Sequence, residues 1–392
     1  MVMASPPEVG VAVRISALLL IALAGAAHAD SIDTEIIGTQ GWALEDVTLR
    51  TTYLDQTGHG FQSQDGLLPG GESMTIIQPV ALITIRQTDR IVHQIAIPID
   101  AITAASPDSV DATSSASRRN TAGDFDLRTQ FKLDSGDTLT TRFVAHAEEW
   151  IGGGTAGFGW RRSLADDNAT ISINGTFGLD VFDDHNHFGS FLGKTHRETG
   201  SLNAGASQLL SPTTVLDGSY GVTYQHGELK TGWNSVPVEN GSLEDEVFPN
   251  SRLRQALTVR LSQHVPVTHS TVKLRYRGYL DSFGLHAHSI EASVYQYLVS
   301  WLYVRGSYRF YTQNGVDFFT TSLPLGFDDK TTLRTADSDL APMHANEWTI
   351  GLATIKGRGP LGKWSATAEL FRYDRSNDLT ITALSLGVGR ML

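Results

Sequence analysis

The chain of 392 residues has no cysteine, which removes disulfide scaffolds, thiolate metal sites and cysteine nucleophiles together. Charge is scarce too: Asp, Glu, Lys and Arg make up 18% of the residues, against about 25% in a typical globular chain. Apolar residues are 41%, below the roughly 45–50% of an ordinary packed domain. A chain short of both matches neither a large α/β enzyme nor an acidic disordered tail. Basic residues are outnumbered 30 to 42, for a formal charge of −12, which argues against nucleic acid as a partner. Beyond Asp30 no apolar run reaches the about 18 residues of a membrane-crossing helix, and helical periodicity is missing. In their place stand Gly, with 38 copies, and Ser, Thr, Asn and Gln.

The opening residues read as an address. Arg14 precedes an apolar run over residues 15–24, then Ala27-His28-Ala29 and Asp30, the pattern of a cleaved secretory signal. The run is too short for a permanent membrane helix. Residues 1–29 are therefore expected to be a signal peptide and residues 30–392 a single outer-membrane β-barrel domain.

Past Asp30 the pattern is alternation at period two. Leu253, Leu257, Val259 and Leu261 fall on one face of an extended chain, with Arg252, Arg254, Thr258, Arg260 and Ser262 on the other. Val272, Leu274, Tyr276 and Leu280 oppose Lys273, Arg275, Arg277 and Asp281, and Leu302, Val304, Tyr308 and Phe310 oppose Arg305, Ser307 and Arg309. Such runs number about sixteen and mostly span about 11–15 residues, against five or six in a usual globular strand. A soluble sandwich alternates as well, with its apolar face inward, but it does not sort its connections by parity. Here the links at 87–89, 134–137, 165–167, 211–212, 266–269, 300–301 and 357–361 are short, and most of those between, such as 103–123 and 315–344, are long. Short turns at one end and long loops at the other predict an antiparallel up-and-down transmembrane β-barrel of about 16 strands, with periplasmic turns and extracellular loops. Trp42, Trp150, Trp160, Trp301, Trp348 and Trp364 lie near strand ends, as interfacial belts require. The terminal strand departs from the usual aromatic ending, with Leu392 last and Arg390 in the outward phase. Outer-membrane lipid and the barrel-assembly machinery are the expected partners.

Residues 97–117, IPIDAITAASPDSVDATSSAS, run from a strand into a Ser/Ala-rich stretch. Asp100, Ile102, Ala105, Ser106 and Pro107, followed by Val110, Asp111, Ser114, Ser115, Ala116 and Ser117, resemble a motif of an uncharacterised family of bacterial outer-membrane proteins, domain of unknown function 3570. Ala147-Glu148-Glu149-Trp150 is similar to a diverged form of that family's Ser-x-Glu-x-Asp-Tyr block. The resemblance implies a barrel of unassigned role, sometimes discussed with periplasmic flavin-transfer proteins, and brings no catalytic residues.

If apolar side chains face lipid, the opposite face lines a lumen. On the tenth to thirteenth strands it carries Arg252, Arg254, Arg260, Lys273, Arg275, Arg277, Arg305 and Arg309, with Asp281 and Glu291 among few acids. Such a wall is a candidate anion track; equally, the arginines could pair with acids on an infolded loop. The negative excess gathers in the long loops, at Glu239, Glu244, Asp245, Glu246, Asp317, Asp328, Asp329, Asp337 and Asp339, and reads first as solvated surface. Asp183, His185 and His187 have metal-ligand spacing along one strand edge, though a polar loop tip accounts for them better; His286 and His288 repeat the spacing. No Walker A, G-x-S-x-G or H-E-x-x-H motif occurs, and neither an enzyme nor a cofactor is expected. The leading expectation is a pore with a partly basic, anion-leaning lumen. The alternatives are a barrel scaffold or sheath around a periplasmic redox or lipoprotein partner, and a secreted soluble β-protein that binds surface glycans.

Overall fold

Period-two alternation needs an inside and an outside, and a computed structural model supplies both. It describes residues 41–58, 74–98, 123–147, 151–186, 190–230 and 235–392. The expected signal segment, residues 1–29, and the motif from Asp100 to Ser117, with Ala105, Ser106, Pro107, Ser114 and Ser115, lie outside the described residues, as does Trp150.

The described residues form β1 (Ala43–Gly58), β2 (Met74–Thr88), β3 (Ile91–Pro98), β4 (Gly123–Lys132), β5 (Thr138–Ala147), β6 (Ile151–Leu164), β7 (Ala169–His185), β8 (Phe191–Ser211) and β9 (Thr214–Gly227). They continue with β10 (Ser235–Pro237), β11 (Leu243–Asp245), β12 (Ser251–Val265), β13 (Ser270–Asp281), β14 (His286–Val299), β15 (Leu302–Gln313), β16 (Met343–Thr354), β17 (Trp364–Arg375) and β18 (Leu379–Met391). Sixteen of them close into one antiparallel barrel, each bonded to its neighbours in the chain and β1 bonded to β18; β10 and β11 pair with each other in a long connection. The strand count and the loop parity expected from alternation are both present. The length of the barrel strands varies more than the pattern suggested, from 8 residues in β3 to 21 in β8.

Closure between the first and last strands depends on a glycine. Gly58 has φ +110°, and a Cβ there would stand 1.8 Å from the Asp378 carbonyl oxygen, so only hydrogen fits where β1 meets the turn into β18.

Outside, the barrel is apolar. Phe143, Phe158, Phe177, Leu202, Ile290, Ile350, Leu370, Leu384, Leu386 and Val388 are all exposed, and each occupies the outward phase of its strand. A contiguous apolar surface of this extent belongs against lipid rather than water, the reverse of a soluble sandwich. No helix among the described residues is long and apolar enough to cross a membrane; this chain crosses with strands. Arg390 lies outward as expected, its guanidinium 5.4 Å from the centre of the Trp364 ring. A cation over an aromatic at the end of a strand keeps its stem in the apolar zone and its charge at the headgroup boundary.

The outer band sets a test. Ile350→Lys, at the middle of β16 on the lipid side, is expected to lower folding stability in vesicles by about 2–4 kcal/mol, whereas Ser307→Lys, one strand away on the inner face, should cost under about 1 kcal/mol. Urea titrations read by heat-modifiable gel migration would measure both, and equal losses would contradict the assigned faces.

Candidate functional site

Every expected basic residue has the phase opposite to the exposed apolar side chains, and register brings charges of both signs into a transverse row. Asp217 on β9 faces Arg260 on β12, which faces Arg275 on β13, which faces Glu291 on β14; Arg309 on β15 and Glu347 on β16 continue the line. Two arginines side by side would repel, but each leans to its other neighbour. Arg260 Nε donates to Asp217 Oδ2 at 3.0 Å, and Arg275 Nη2 donates to Glu291 Oε2 at 2.5 Å. Arg309 donates to Glu347. Higher up, Arg252 Nε donates to Asp281 Oδ2 at 2.8 Å beneath the Phe283 ring. Nearer the short turns, Arg305 Nη1 donates to Glu369 Oε2 at 3.2 Å. It reaches β17 because Gly351 stands between them on β16 with no side chain in the way.

At least five of the eight basic groups are therefore paired with carboxylates, and the acids of these five sit on barrel strands, one or two strands away, rather than on an infolded loop. Sequence spacing singled out Asp281 and Glu291 but missed Asp217, Glu347 and Glu369, which become neighbours only through register. The remaining three differ. Lys273 has no carboxylate partner among the described residues and stands 4.5 Å over the Tyr295 ring. Arg254 stands in register with Asp281, which bonds Arg252 instead, so Arg254 forms no ion pair among the described residues, and its Nε is buried without a hydrogen-bond partner. Arg277 lies in register between Thr258 and Ser289. A second charged row went unnoticed in the sequence: His146, Gly153, Asp180 and Arg197 are successive cross-strand partners on β5 to β8. Arg197 bonds Asp180 at 2.9 Å and His146 Nε2 stands 3.5 Å from the same carboxylate.

The long-loop end of β13 to β18 is lined differently. Tyr311, Met343, Ala345, Tyr373, Leu379 and Ile381 take inward positions, yet all are buried. Val316, Leu340, Phe318 and Phe319 from the 314–342 connection and Phe248 from the 228–250 connection pack on them. Inner-wall polar groups fasten the cover. Gln313 Nε2 donates to the carbonyls of Asp339 and Ala341 at 2.9 and 2.6 Å, and Arg375 bonds the Asp339 carboxylate and, at 2.6 Å, the Ser338 carbonyl.

The two connections also hold each other, around a small core of Val236, Val238, Leu323 and Ala336. Their acids, expected to be plain solvated surface, include the cross-links. Glu239 accepts from the Leu325 amide at 3.2 Å, Glu244 from Lys330 at 2.5 Å, and the Asp245 carbonyl from Arg334 at 2.9 Å. Thr335 Oγ1 donates to Glu246, which is 3% exposed. Burial, together with the nearby Asp337, pushes the Glu246 carboxyl up to about 8.

At the other sequence candidate, Asp183 accepts from Lys194 at 2.9 Å, while His185 is buried, with Nδ1 3.1 Å from the Asp183 carbonyl and its ring against Phe191. His187 lies outside the described residues. No group of three or more His, Asp or Glu poised for a metal ion occurs among the described residues. His288 is on the outer face, its Nδ1 2.8 Å from the Tyr276 hydroxyl.

Residues 154–386 match the model of the family described as Protein of unknown function (DUF3570). The chain belongs to that family. The match runs from β6 into β18 and so takes in the whole salt-bridged wall, while the motif around Asp100 to Ser117 precedes it. No curated protein matches the sequence. Among solved structures, OccK1 (OpdK) of Pseudomonas aeruginosa is similar at 10% identity and a TM-score of 0.44, over 90% of this chain and 98% of that one. A bacterial polysaccharide outer membrane secretin is 8% identical with a TM-score of 0.48, over 88% and 98%. OprD of Pseudomonas aeruginosa is 11% identical with a TM-score of 0.44, over 90% and 95%.

Loop packing should respond to pH through Glu246. Its folded value, about 8, exceeds the ordinary carboxylate value of 4.5, so the packed loops hold the proton more tightly than unpacked ones. Packing is strongest below the ordinary value and weakens as pH climbs towards the raised one. Limited proteolysis of the 228–250 connection should accelerate several-fold between about pH 5 and about pH 8.5, by no more than about tenfold per unit. Glu246→Gln should remove the dependence; a variant as pH-sensitive as the parent would assign it to another group.

Proposed function

We propose that the chain is an outer-membrane channel for small anions, oriented with its long loops outside and its short turns in the periplasm. The observation that carries this reading is the balance on the inner wall: Arg254 and Lys273 lack carboxylate partners among the described residues, so the lattice of ion pairs on β9 and β12 to β17 retains positive charge. A barrel of about sixteen strands is wide enough for an aqueous path, and unneutralised cations along it lower the entry cost for anions and raise it for cations. Structural likeness to outer-membrane channels agrees with the reading without carrying it. The sheath reading has weaker support, because the infolded connections occupy inner wall that an enclosed partner would need.

In planar bilayers under a salt gradient, the purified barrel is expected to give discrete conductance steps and a reversal potential on the anion side. Arg254→Gln should lower the anion-to-cation permeability ratio about twofold, and Asp217→Asn should raise it. Silent membranes, or cation preference in the parent protein, would overturn the proposal.

A further inference from the structure

Near the short-turn end, the inner wall changes character. Tyr295 on β14 faces Arg305 on β15, and Tyr297 faces Tyr303 across the same pair of strands. The rings cluster, Tyr303 lying 6.1 Å from Tyr295 and 5.6 Å from Tyr297 with tilts of 42° and 47°. Two cations address the Tyr295 ring, Lys273 at 4.5 Å and Arg305 at 5.8 Å. None of the three phenol hydroxyls bonds to a described residue. Small residues surround the group: Ser293 and Thr271 oppose Lys273 and Tyr295, while Gly351 and Ala353 oppose Arg305 and Tyr303.

A tyrosine laid under a lysine is ordinary packing. Three half-buried tyrosines with unspent hydroxyls, beside an ammonium that no carboxylate of the described residues neutralises, leave more recognition chemistry than packing consumes. We propose that these residues form a binding subsite for aromatic carboxylates. The charge arithmetic selects a monoanion: Glu369 answers Arg305, so of the two cations in this group Lys273 alone has no carboxylate partner among the described residues. The tilted faces of Tyr297 and Tyr303 select a flat ring attached to that anion, which can stack in offset or edge-on geometry, while phenol hydroxyls donate to its carboxylate oxygens. A cationic ligand is refused, because two cations already hold the Tyr295 ring.

The subsite deepens the channel reading and rests on it for solute access, but binding can be measured without current. Fluorine NMR of 4-fluorobenzoate with the folded barrel in detergent micelles should show line broadening that saturates. Benzoate should compete, and acetate and 4-fluorobenzyl alcohol should do so at least about tenfold more weakly. Lys273→Met and the pair Tyr297→Leu, Tyr303→Leu should each weaken binding about tenfold, with heat-modifiable migration confirming that each variant is folded. Acetate or glucuronate competing as well as benzoate, or variants that bind like the parent, would overturn the subsite. Saturable benzoate binding in a barrel that passes no current would sustain the subsite and defeat the channel; anion-selective current without benzoate binding would do the opposite.

Discussion

The structure depends first on the requirement that no backbone amide or carbonyl be left unpaired in lipid, where water cannot satisfy it. An open sheet cannot meet that condition at its edges, so β18 must return to β1, and their register pairs Asp46 with Met391 through Gly58 with Leu379. Once the ladder closes, alternation becomes geometry: each strand turns one row of side chains to lipid and one to the interior. A composition poor in both charge and apolar residues follows, since one apolar face per strand suffices.

Closure also decides how the interior handles charge. Strands about 5 Å apart put inward side chains of neighbours within reach of one another, and a guanidinium in that setting needs an acid or water. Asp217, Glu291 and Glu347 are interleaved with Arg260, Arg275 and Arg309 along one row, so the wall is a lateral lattice rather than a bare basic surface. The departures from pairing then stand out. Arg254 and Lys273 are conspicuous because their neighbours are answered.

This division explains what was legible in the sequence. Strand number, the lipid-facing set and the inward phase of the eight basic residues follow from local period-two alternation, which a single strand displays by itself. Partnership does not, because it depends on register between strands distant in the chain: Arg260 meets Asp217 across 43 positions and Arg305 meets Glu369 across 64. Reading Glu347 and Glu369 in phase with their own strands would have placed both acids inside, although not against which arginine. The tyrosine cluster escaped for the opposite reason. Tyr295, Tyr297 and Tyr303 look like ordinary strand aromatics until β14 and β15 are set in register.

The loops obey the same rule in reverse. Where Tyr311, Tyr373, Leu379 and Ile381 make part of the interior apolar, water is a poor neighbour, and the 314–342 connection folds back with Val316 and Leu340 to cover them. A segment that brings apolar side chains inward must also bring its backbone, whose carbonyls need donors. Gln313, Arg375 and Asn377 supply them at Ser338, Asp339 and Ala341. The inward apolar patch and these donors thus act together, the first drawing the connection in and the second fixing where it lies. Because Glu246 is buried where the two connections meet, the cover carries a titratable group at its own joint, and burial, which raises that carboxyl's pKa, links the contact between the connections to its protonation.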